Sequence, residues 1–451
     1  MKKWLIKQAT IINEGKSFVG DVLVENQRIK KIASSISDEF ANEINAEGLW
    51  LIPGIIDDQV HFREPGYTHK ATIYSESKAA VAGGVTSFME MPNTNPPART
   101  QELLEKKYEI ARKTSLANYS FYMGTGNDNL EEVKRTNPKT VCGVKIFMGS
   151  STGQLVVDNE KSLEGIFKHS PTLVATHCEV DSMIKKNADE LKMKYGNAIP
   201  VELHPIIRNE EACLASSKHA IELAKQYNTR LHILHISTAE EISLFNNEIP
   251  LYQKNITAEV CVHHLWFTSD DYKTLGPQIK CNPAIKDKRH APLLFDALLN
   301  NKFDVIATDH APHTWEEKYS KTENGESDYF KSPSGLPLIQ HSLNMMLMFY
   351  HQGKISAEKI VEKMCHAPAI CFKINHRGFI REDYFADLVL VNPNSENIVT
   401  KESLKYKCGW SPLTGTKFKG AITHTFVNGN LVYANNSFEE STNGLRLEFN
   451  R

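Results

Sequence analysis

Histidines and carboxylates recur at the ends of apolar runs along this chain of 451 residues. Asp57 and His61 end the first such run, His177 and His235 end later ones, and Asp309 ends the last. Imidazole and carboxylate groups are ligands that zinc and similar divalent ions take in proteins. If the fold gathers these side chains in one place, they would form a metal site able to activate water.

Each of these residues has a plainer explanation when it is taken alone. A single histidine at a strand end is more often structural, and Asp309 would serve as a helix cap. Lys145 lies inside an apolar run, where an unpaired ammonium is costly. It would either pair with a carboxylate, extend to the rim, or act as a neutral amine that takes up carbon dioxide. The resulting carbamate is a carboxylate that can bridge two metals.

Eight apolar, β-rich runs, each followed by polar sequence that favours helix, position these side chains. The runs are Leu51–Val60, Val85–Met91, Asn118–Met123, Val141–Phe147, Thr172–Thr176, Arg230–Ile236, Ile256–Val260 and Asp304–Ala307. Continuous apolar runs are typical of parallel strands that are buried on both faces. Eight of them separated by helical segments predict an α/β fold, a (β/α)8 barrel of the TIM type. Barrel enzymes carry their catalytic groups at the carboxyl ends of the strands.

Both ends of the chain have a different pattern. Short strands alternate with Asn and Gly over the first fifty residues, and the turn Val427–Asn430 indicates a hairpin near the other end. These segments predict a small β-sandwich domain that is built from residues 1–50 and 386–451. The metal-dependent hydrolase barrel would then occupy residues 51–385.

Composition argues against several classes of protein. The chain has 52 basic and 54 acidic residues without a run of like charge, which argues against a nucleic-acid or membrane-surface partner. No stretch approaches the ~18 apolar residues of a membrane span, and the first ten residues are too polar for the core of a signal peptide. The eight cysteines form no CxxC pair and are expected to be reduced. We therefore expect a cytoplasmic protein that acts on a small molecule.

Seven motifs resemble the amidohydrolase superfamily, and within it the dihydroorotases of the class I bacterial type. They are DDQVHFREPG (57–66), MPNTNPP (91–97), GVKIFM (143–148), ATHCE (175–179), LHILHIST (231–238), KCNPAI (280–285) and ATDHAPH (307–313). They occur in the family's order and span nearly the whole predicted barrel. The resemblance implies the reversible cyclisation of N-carbamoyl-L-aspartate to L-dihydroorotate in de novo pyrimidine (UMP) biosynthesis.

The resemblance also implies a binuclear metal centre, with zinc (Zn2+) as the expected metal. His61 and Asp309 would hold one ion, His177 and His235 the other, and Lys145 would bridge them as its carbamate. A water activated by the cations would supply the nucleophilic hydroxide. Asp309 would take the proton of this water and pass it to the leaving ring nitrogen.

A free carboxylate on the substrate requires a donor, and the resemblance assigns that role to Arg63, since a guanidinium binds a carboxylate bidentately. The other implied contacts to the substrate are Asn93, Asn282, His313 and the backbone of Gly335. Without the resemblance, Arg63 would be expected to pair with Glu64. The two asparagines would be expected to make turns beside the neighbouring prolines.

Two further segments lie close to these motifs. Residues 149–154 are small and polar, and they predict either an ordinary loop or one that closes over substrate and offers Thr152 to it. His263 and His264 follow the seventh run. We expect them to be structural, because the five implied ligands already fill two metal sites.

One position departs from the family's pattern. The family has His-x-His after the first strand, and this chain has Gln59 in place of the first histidine. A glutamine amide is a poorer ligand for zinc than imidazole. His61, the carbamate, Asp309 and hydroxide would still supply four ligands, so we expect an active centre with a weaker inner site.

Three alternatives stay open at this point. Allantoinase and dihydropyrimidinase open similar cyclic amides, but dihydropyrimidines lack a carboxylate, so Arg63 favours dihydroorotate. The third alternative is a catalytically silent relative that acts as an assembly partner for another enzyme of the pathway. The resemblance implies a homodimer.

Overall fold

The structure, a computed structural model, describes residues 2–149 and 155–451. Its strands are β1 (Lys3–Asn13), β2 (Lys16–Glu25), β3 (Arg28–Ala33), β4 (Asn42–Asn45), β5 (Trp50–Pro53), β6 (Ile55–Val60), β7 (Val85–Glu90), β8 (Asn118–Phe121), β9 (Met123–Gly124), β10 (Val144–Phe147), β11 (Val174–His177), β12 (Leu231–Ile233), β13 (Ile256–Cys261), β14 (Val305–Ala307), β15 (Leu388–Ile398), β16 (Lys417–Val427), β17 (Asn430–Ala434) and β18 (Ser437–Phe438). Its α-helices are α1 (Ile73–Ala82), α2 (Gln101–Thr114), α3 (Leu130–Lys134), α4 (Glu160–His169), α5 (Asp181–Tyr195), α6 (His204–Ile207), α7 (Glu210–Tyr227), α8 (Val262–Trp266), α9 (Tyr272–Leu275), α10 (His290–Leu299), α11 (Trp315–Lys318), α12 (Ser342–His351), α13 (Ala357–Val361) and α14 (Ala367–Phe372).

Parallel strands β6 to β14 form the predicted barrel. β6, β7 and β8 pair in that order, and β9 to β14 pair in chain order. β8 and β9 are separated only by Tyr122 and occupy one strand position. A parallel bridge from Val60 to His310 joins the first strand position to the segment after the last. Every residue of β6, β7, β10 and β11 is buried, as expected for strands that helices cover, and the (β/α)8 prediction is confirmed.

Strands from both ends of the chain form one nine-stranded mixed sheet. Its order is β18-β17-β16-β15-β5-β1-β2-β3, and β4 pairs with β1. β5 joins the two ends, since it runs parallel to β1 and antiparallel to β15. The predicted small β-domain from both termini is therefore confirmed. Its boundaries after residue 50 and before residue 386 stay a prediction.

The first predicted barrel strand, Leu51–Val60, is wrong as a single strand. The chain forms β5 in the terminal sheet and then β6 in the barrel, with Gly54 between them. A side chain at Gly54 would overlap the side chain of Thr86, so the two segments approach closely where the chain changes sheets. The apolar pattern of residues 51–60 does not reveal that the chain passes from one sheet to the other, because the residues on both sides of Gly54 are buried.

Composition led us to expect reduced cysteines and no membrane-spanning segment. All eight cysteines are free thiols, and all but Cys408 are buried. Within the described part of the chain, no helix is both long enough and apolar enough to cross a bilayer.

A buried polar network connects the terminal sheet to the barrel. Asp387, which immediately precedes β15, pairs with Arg377, and both side chains are 3% exposed. The Asp387 carboxylate also accepts hydrogen bonds from Asn118 Nδ2 in β8 (3.2 Å) and from the Asn428 backbone N–H (2.8 Å). Asn428 in turn donates to Asn118 Oδ1 at 2.7 Å. Loss of the carboxylate would leave a buried guanidinium without its counter-charge.

We expect Asp387→Ala to lower the free energy of unfolding by about 3–5 kcal/mol, because it removes one partner of a buried ion pair. Urea denaturation followed by circular dichroism measures this change. Glu396→Ala is the matched control on β15, since its ion pair with Lys417 is more than half exposed and is expected to contribute at most about 1 kcal/mol. Equal losses in the two variants would contradict the assignment of the network.

Candidate metal centre

A cavity lies at the carboxyl ends of the barrel strands. Its lining includes all five predicted metal ligands, His61, Lys145, His177, His235 and Asp309. The other described residues that line it are Gln59, Arg63, Asn93, Phe147, Asn282, Ala311, Ser334 and Gly335. The fold therefore brings together, in one pocket, side chains that are distant in sequence.

His61 and Asp309 form one side of this centre. His61 Nε2 lies 3.0 Å from Asp309 Oδ1, and His61 Nδ1 lies 2.7 Å from Asn93 Oδ1. Because an amide oxygen only accepts, Nδ1 carries the proton and Nε2 presents its lone pair beside Asp309. Burial lowers the pKa of His61.

His177 and His235 form the other side. His177 Nδ1 lies 2.9 Å from His235 Nε2, and His177 Nε2 donates to Glu179 Oε2 at 2.9 Å. Glu179 is buried and also pairs with Arg208, which holds the carboxylate in place. The hydrogen bond to Glu179 leaves a lone pair on His177 Nδ1, directed at His235. Burial lowers the pKa of both imidazoles, so both are neutral, as metal ligation requires.

Lys145 extends into the cavity from β10 and is 1% exposed. Among the described residues, no carboxylate oxygen lies within 4.0 Å of its Nζ, so the pairing explanation is wrong. Its Nζ lies 4.6 Å from the centre of the Phe147 ring. Burial lowers the pKa of this amine to about 7, so much of it is neutral near pH 7. A neutral amine is the form that can attack carbon dioxide.

The backbone is strained at three residues of the cavity. Arg63, His235 and Asp309 have φ values of 68°, 41° and 47°, in the left-handed region that residues with a side chain seldom adopt. Each residue follows the end of a barrel strand by two or three positions. Such strain is concentrated at functional sites, where the surrounding fold holds it in place.

Arg63 lies in the cavity wall and does not pair with Glu64 there. Its Nε donates to the Pro312 carbonyl at 3.0 Å, and Nη2 lies 3.0 Å from His313 Nε2. Glu64 instead accepts from the backbone N–H of Ile73 at the start of α1 (2.9 Å). Burial lowers the pKa of Arg63 to about 10, which still leaves a full positive charge at pH 7.

Asn282 and Gly335 also line the cavity. Asn282 has an oxygen without a partner, and Gly335 has a backbone conformation that favours glycine. Asn282 Oδ1 is buried and has no hydrogen-bond partner in the described structure, so it can accept from a ligand. Gly335 has a φ of 133°, and a Cβ there would lie 2.5 Å from the Ala311 carbonyl oxygen. Only glycine fits this position. Its N–H donates to the Lys280 carbonyl at 2.8 Å and is thus committed within the fold.

Three predicted features lie elsewhere or have other partners. His313 does not line the cavity, and its ring lies between Arg63, the Ser334 carbonyl and Lys70 Nζ. Its direct contact with substrate stays a prediction. His263 and His264 are buried and are also absent from the lining. Residues 150–154, which include Thr152, lie outside the described residues, so the loop prediction is untested.

Some residues that shape the site were missed by sequence reasoning. Glu179 follows His177 by two positions in the ATHCE motif, and this spacing was the only signal for its role. Phe147, Ala311 and Ser334 line the cavity without any chemical signal in the sequence. These residues shape the cavity through packing, which a linear pattern does not reveal.

The donor set fits a divalent metal centre. Three neutral imidazoles and one carboxylate converge on the cavity, and two of the imidazole nitrogens face each other at 2.9 Å. Lys145 lies in the same wall and, as a carbamate, would supply a bridging carboxylate. Gln59 lines the cavity too, with its Oε1 3.9 Å from Cys261 Sγ. An amide oxygen therefore stands where the family's pattern has an imidazole.

Comparison with known sequences agrees with this geometry. The model of the amidohydrolase family matches residues 50–432. The chain is 29% identical to a dihydroorotase of Methanosphaera stadtmanae over 422 residues, which cover 92% of this chain and 94% of that protein. It is 30% identical to a dihydroorotase of Streptococcus pyogenes serotype M3 over 442 residues, which cover 96% of this chain and all of that protein.

The solved structures that resemble this chain are less than 25% identical to it, so they show similarity of fold only. The L-hydantoinase (dihydropyrimidinase) of Arthrobacter aurescens superposes with a TM-score of 0.90 at 24% identity, over 97% of this chain and 98% of that one. The dihydropyrimidinase of Brevibacillus agri NCHU1002 superposes with a TM-score of 0.88 at 23% identity, over the full length of both chains.

We expect Glu179→Ala to weaken metal binding by about 10- to 100-fold, because His177 loses the acceptor that orients it. Competition with a chromophoric chelator measures the affinity. Glu179→Gln, which keeps an acceptor oxygen, is expected to give a smaller loss, and the exposed Glu222→Ala on α7 is the control with no loss. Wild-type affinity in Glu179→Ala would contradict the orienting role.

Proposed function

The chain belongs to the amidohydrolase family, and on that premise we propose that this enzyme is a dihydroorotase. It would interconvert N-carbamoyl-L-aspartate and L-dihydroorotate. Its metal ligands would be His61, Lys145 as a carbamate, His177, His235 and Asp309, with Zn2+ as the metal. The proposal extends to a cytoplasmic homodimer, to a barrel at 51–385 and to a β-domain from residues 1–50 and 386–451.

One observation carries the choice of substrate, namely the buried Arg63 in the wall of the metal centre. Its hydrogen-bond partners are the Pro312 carbonyl and His313, and burial keeps the pKa of His313 well below its usual range. The guanidinium charge therefore has no neutralising partner among these contacts. A carboxylate on the substrate would supply one, with bidentate geometry. Dihydropyrimidines and hydantoins without a carboxylate would not offer the guanidinium such a partner.

The sequence relatives support the same choice. Proteins named dihydroorotase match almost the full chain at 29–30% identity. The hydantoinase structures share the fold at lower identity, and their fold alone does not select among cyclic amides. The buried charge of Arg63 supports dihydroorotate over cyclic amides without a carboxylate.

The cavity residues have separable roles in the proposed reaction. When bound, the two divalent ions would lower the pKa of a water and polarise the amide carbonyl. In the hydrolytic direction, Asp309 would take the proton of the water and pass it to the ring nitrogen as the C–N bond breaks. In the biosynthetic direction, Asp309 would take the proton of the attacking carbamoyl nitrogen and deliver it to the departing carboxylate oxygen, which would leave as hydroxide and gain its second proton from solvent.

The remaining wall residues would hold the substrate in place. Arg63 would bind the free carboxylate, and Asn282 Oδ1 would accept from the ring N–H. Asn93 already accepts from His61 through Oδ1, so its NH2 is the donor that it can offer to the carboxylate. His313 lies behind Arg63 and would fix the position of the guanidinium. Gln59 would make the inner metal site the weaker of the two.

We expect Arg63→Met to lower kcat/KM for the cyclisation of N-carbamoyl-L-aspartate by about 100-fold or more, because the substrate carboxylate loses its buried partner. The zinc content is expected to stay at the wild-type value. Arg112→Met, at an exposed position on α2, is the control.

Three outcomes would contradict the proposed reaction. Unimpaired cyclisation in Arg63→Met would show that the carboxylate is bound elsewhere. Faster turnover of dihydrouracil, hydantoin or allantoin than of dihydroorotate by the wild-type protein would identify one of the related activities. A metal-free protein without turnover would favour the silent assembly partner.

We expect a mass increase of about 44 Da on the native protein, from the carbamate on Lys145. The increase is expected to disappear in Lys145→Met and to persist in Lys139→Met, an exposed control.

Since burial lowers the pKa of Lys145 to about 7, the metal-free protein is expected to take up less carbon dioxide at pH 6 than at pH 8. Native mass spectrometry under mild conditions measures both changes, and an equal mass in wild type and Lys145→Met would contradict the assignment.

A further inference from the structure

A second group of polar side chains lies deeper in the barrel than the cavity. It consists of Asp58 in β6, His232 in β12 and Glu259 in β13, and each is 0% exposed. One ligand atom from each residue lies within 4.8 Å of the other two. None of the three lines the cavity. The proposed reaction does not use this group, which we call the barrel-floor group.

The three atoms of the barrel-floor group surround a common point. His232 Nε2 lies 3.0 Å from Asp58 Oδ2 and 3.5 Å from Glu259 Oε2. Although these distances are short, Nε2, Glu259 Oε2 and both oxygens of Asp58 make no hydrogen bond of ordinary geometry. The two carboxylate oxygens therefore lie off the direction in which Nε2 points. Ligand atoms around one cation have this arrangement, since each points at the ion and none points at another ligand.

Hydrogen bonds outside the group hold two of its ligands in this orientation. His232 Nδ1 lies 2.7 Å from Thr257 Oγ1, whose hydroxyl donates to the Leu231 carbonyl, so Nδ1 is the donor and Nε2 is left facing the group. Glu259 Oε1 accepts from the backbone N–H of His235 at 3.0 Å and from Cys261 Sγ at 3.4 Å. Metal ligands are oriented by outer hydrogen bonds of this kind.

The charge of the group also favours a cation. A buried carboxylate without hydrogen bonds is costly, and Asp58 has none on either oxygen. If both carboxylates are ionised, one protonated imidazole leaves one negative charge unbalanced. Without a cation, burial and the nearby Asp58 raise the pKa of Glu259 to about 8, so a proton would take that place. A divalent ion would balance two carboxylates and a neutral imidazole. The neighbouring cluster of Cys261, His263 and His264 has no such unmatched charge, because its members are neutral at pH 7 when buried.

We propose that Asp58, His232 and Glu259 bind a divalent metal ion that is separate from the centre at His61, His177 and Asp309. Two carboxylates and one imidazole suit an ion that accepts mixed oxygen and nitrogen ligands, such as Zn2+ or Mn2+. Small movements of the side chains would bring each ligand atom to the usual distance of about 2.0–2.2 Å. The inference is independent of the proposed dihydroorotase activity.

A metal in the barrel floor would support the cavity above it. Glu259 would bind the ion through Oε2, and its Oε1 accepts from the backbone N–H of His235. The ion would therefore help to hold His235 in the wall of the cavity. The competing occupant of the same position is a proton on His232, since the two carboxylates outweigh burial and raise the pKa of this imidazole to about 9. Metal binding would have to release that proton.

Anomalous diffraction from crystals of the full chain grown with ZnCl2 tests the proposal directly. Data on both sides of the zinc absorption edge are expected to show a peak among Asp58, His232 and Glu259, apart from any peak at the cavity. A parallel crystal with MnCl2 tests the second metal. If both crystals show peaks at the cavity or at no site, and none in the barrel floor, the proposal is overturned.

Metal analysis of variants tests it in solution. Asp58→Asn is expected to lose about one ion per chain. Asp57→Asn is expected to keep the wild-type number, because the Asp57 carboxylate accepts from Thr308 instead.

Lys145→Met is expected to lose the ions of the cavity and to retain the barrel-floor ion. The double variant Asp58→Asn, Lys145→Met is expected to retain none. Equal metal content in Lys145→Met and the double variant would overturn the barrel-floor site. Failure of the proposed activity would leave this comparison unchanged.

Discussion

Burial of ionisable side chains inside a closed barrel is the constraint on which the rest of this protein depends. Removal from water lowers the pKa of His61, His177 and His235, so that all three present neutral imidazoles to one cavity. The same effect brings the pKa of Lys145 to about 7 and makes a bare ammonium there costly. Cations, carbon dioxide or both would complete such a group of buried ligand atoms. The chemistry of the site therefore follows from its desolvation.

Orientation within the cavity comes from residues behind the ligands. Asn93 and Glu179 each accept from one ring nitrogen of a histidine and so direct the other nitrogen inward. The left-handed backbone at Arg63, His235 and Asp309 turns these side chains out of their strands, and closure of the barrel holds that strain. The polar network around Asp387 attaches the terminal sheet to β8, so both ends of the chain brace the barrel. Precise ligand geometry is thus a property of the whole fold.

Charge at the site is local and opposite to that of the ligand that we propose. The chain as a whole is close to neutral, with a net charge of −2. The positive charge that an anionic substrate would meet would come from Arg63 and from metals bound in the cavity. Asp58 and Glu259 are buried and lie outside the lining of the cavity. This separation would let one barrel hold a cation near its floor and an anion at its mouth.

The sequence by itself determined the fold class and identified the candidate metal ligands that the cavity brings together. Buried parallel strands leave continuous apolar runs, and motifs at their ends carry the reactive residues, so both can be recognised without coordinates. Only the tertiary structure decided that Gly54 divides the first run between two sheets, that His313 lies behind Arg63, and that Asp58 faces His232. It also removed one of the three alternatives for Lys145, an ion pair with a carboxylate. A linear pattern reports which residues are buried, but which side chains meet depends on strand register and barrel closure, because these contacts join residues that are far apart in the chain.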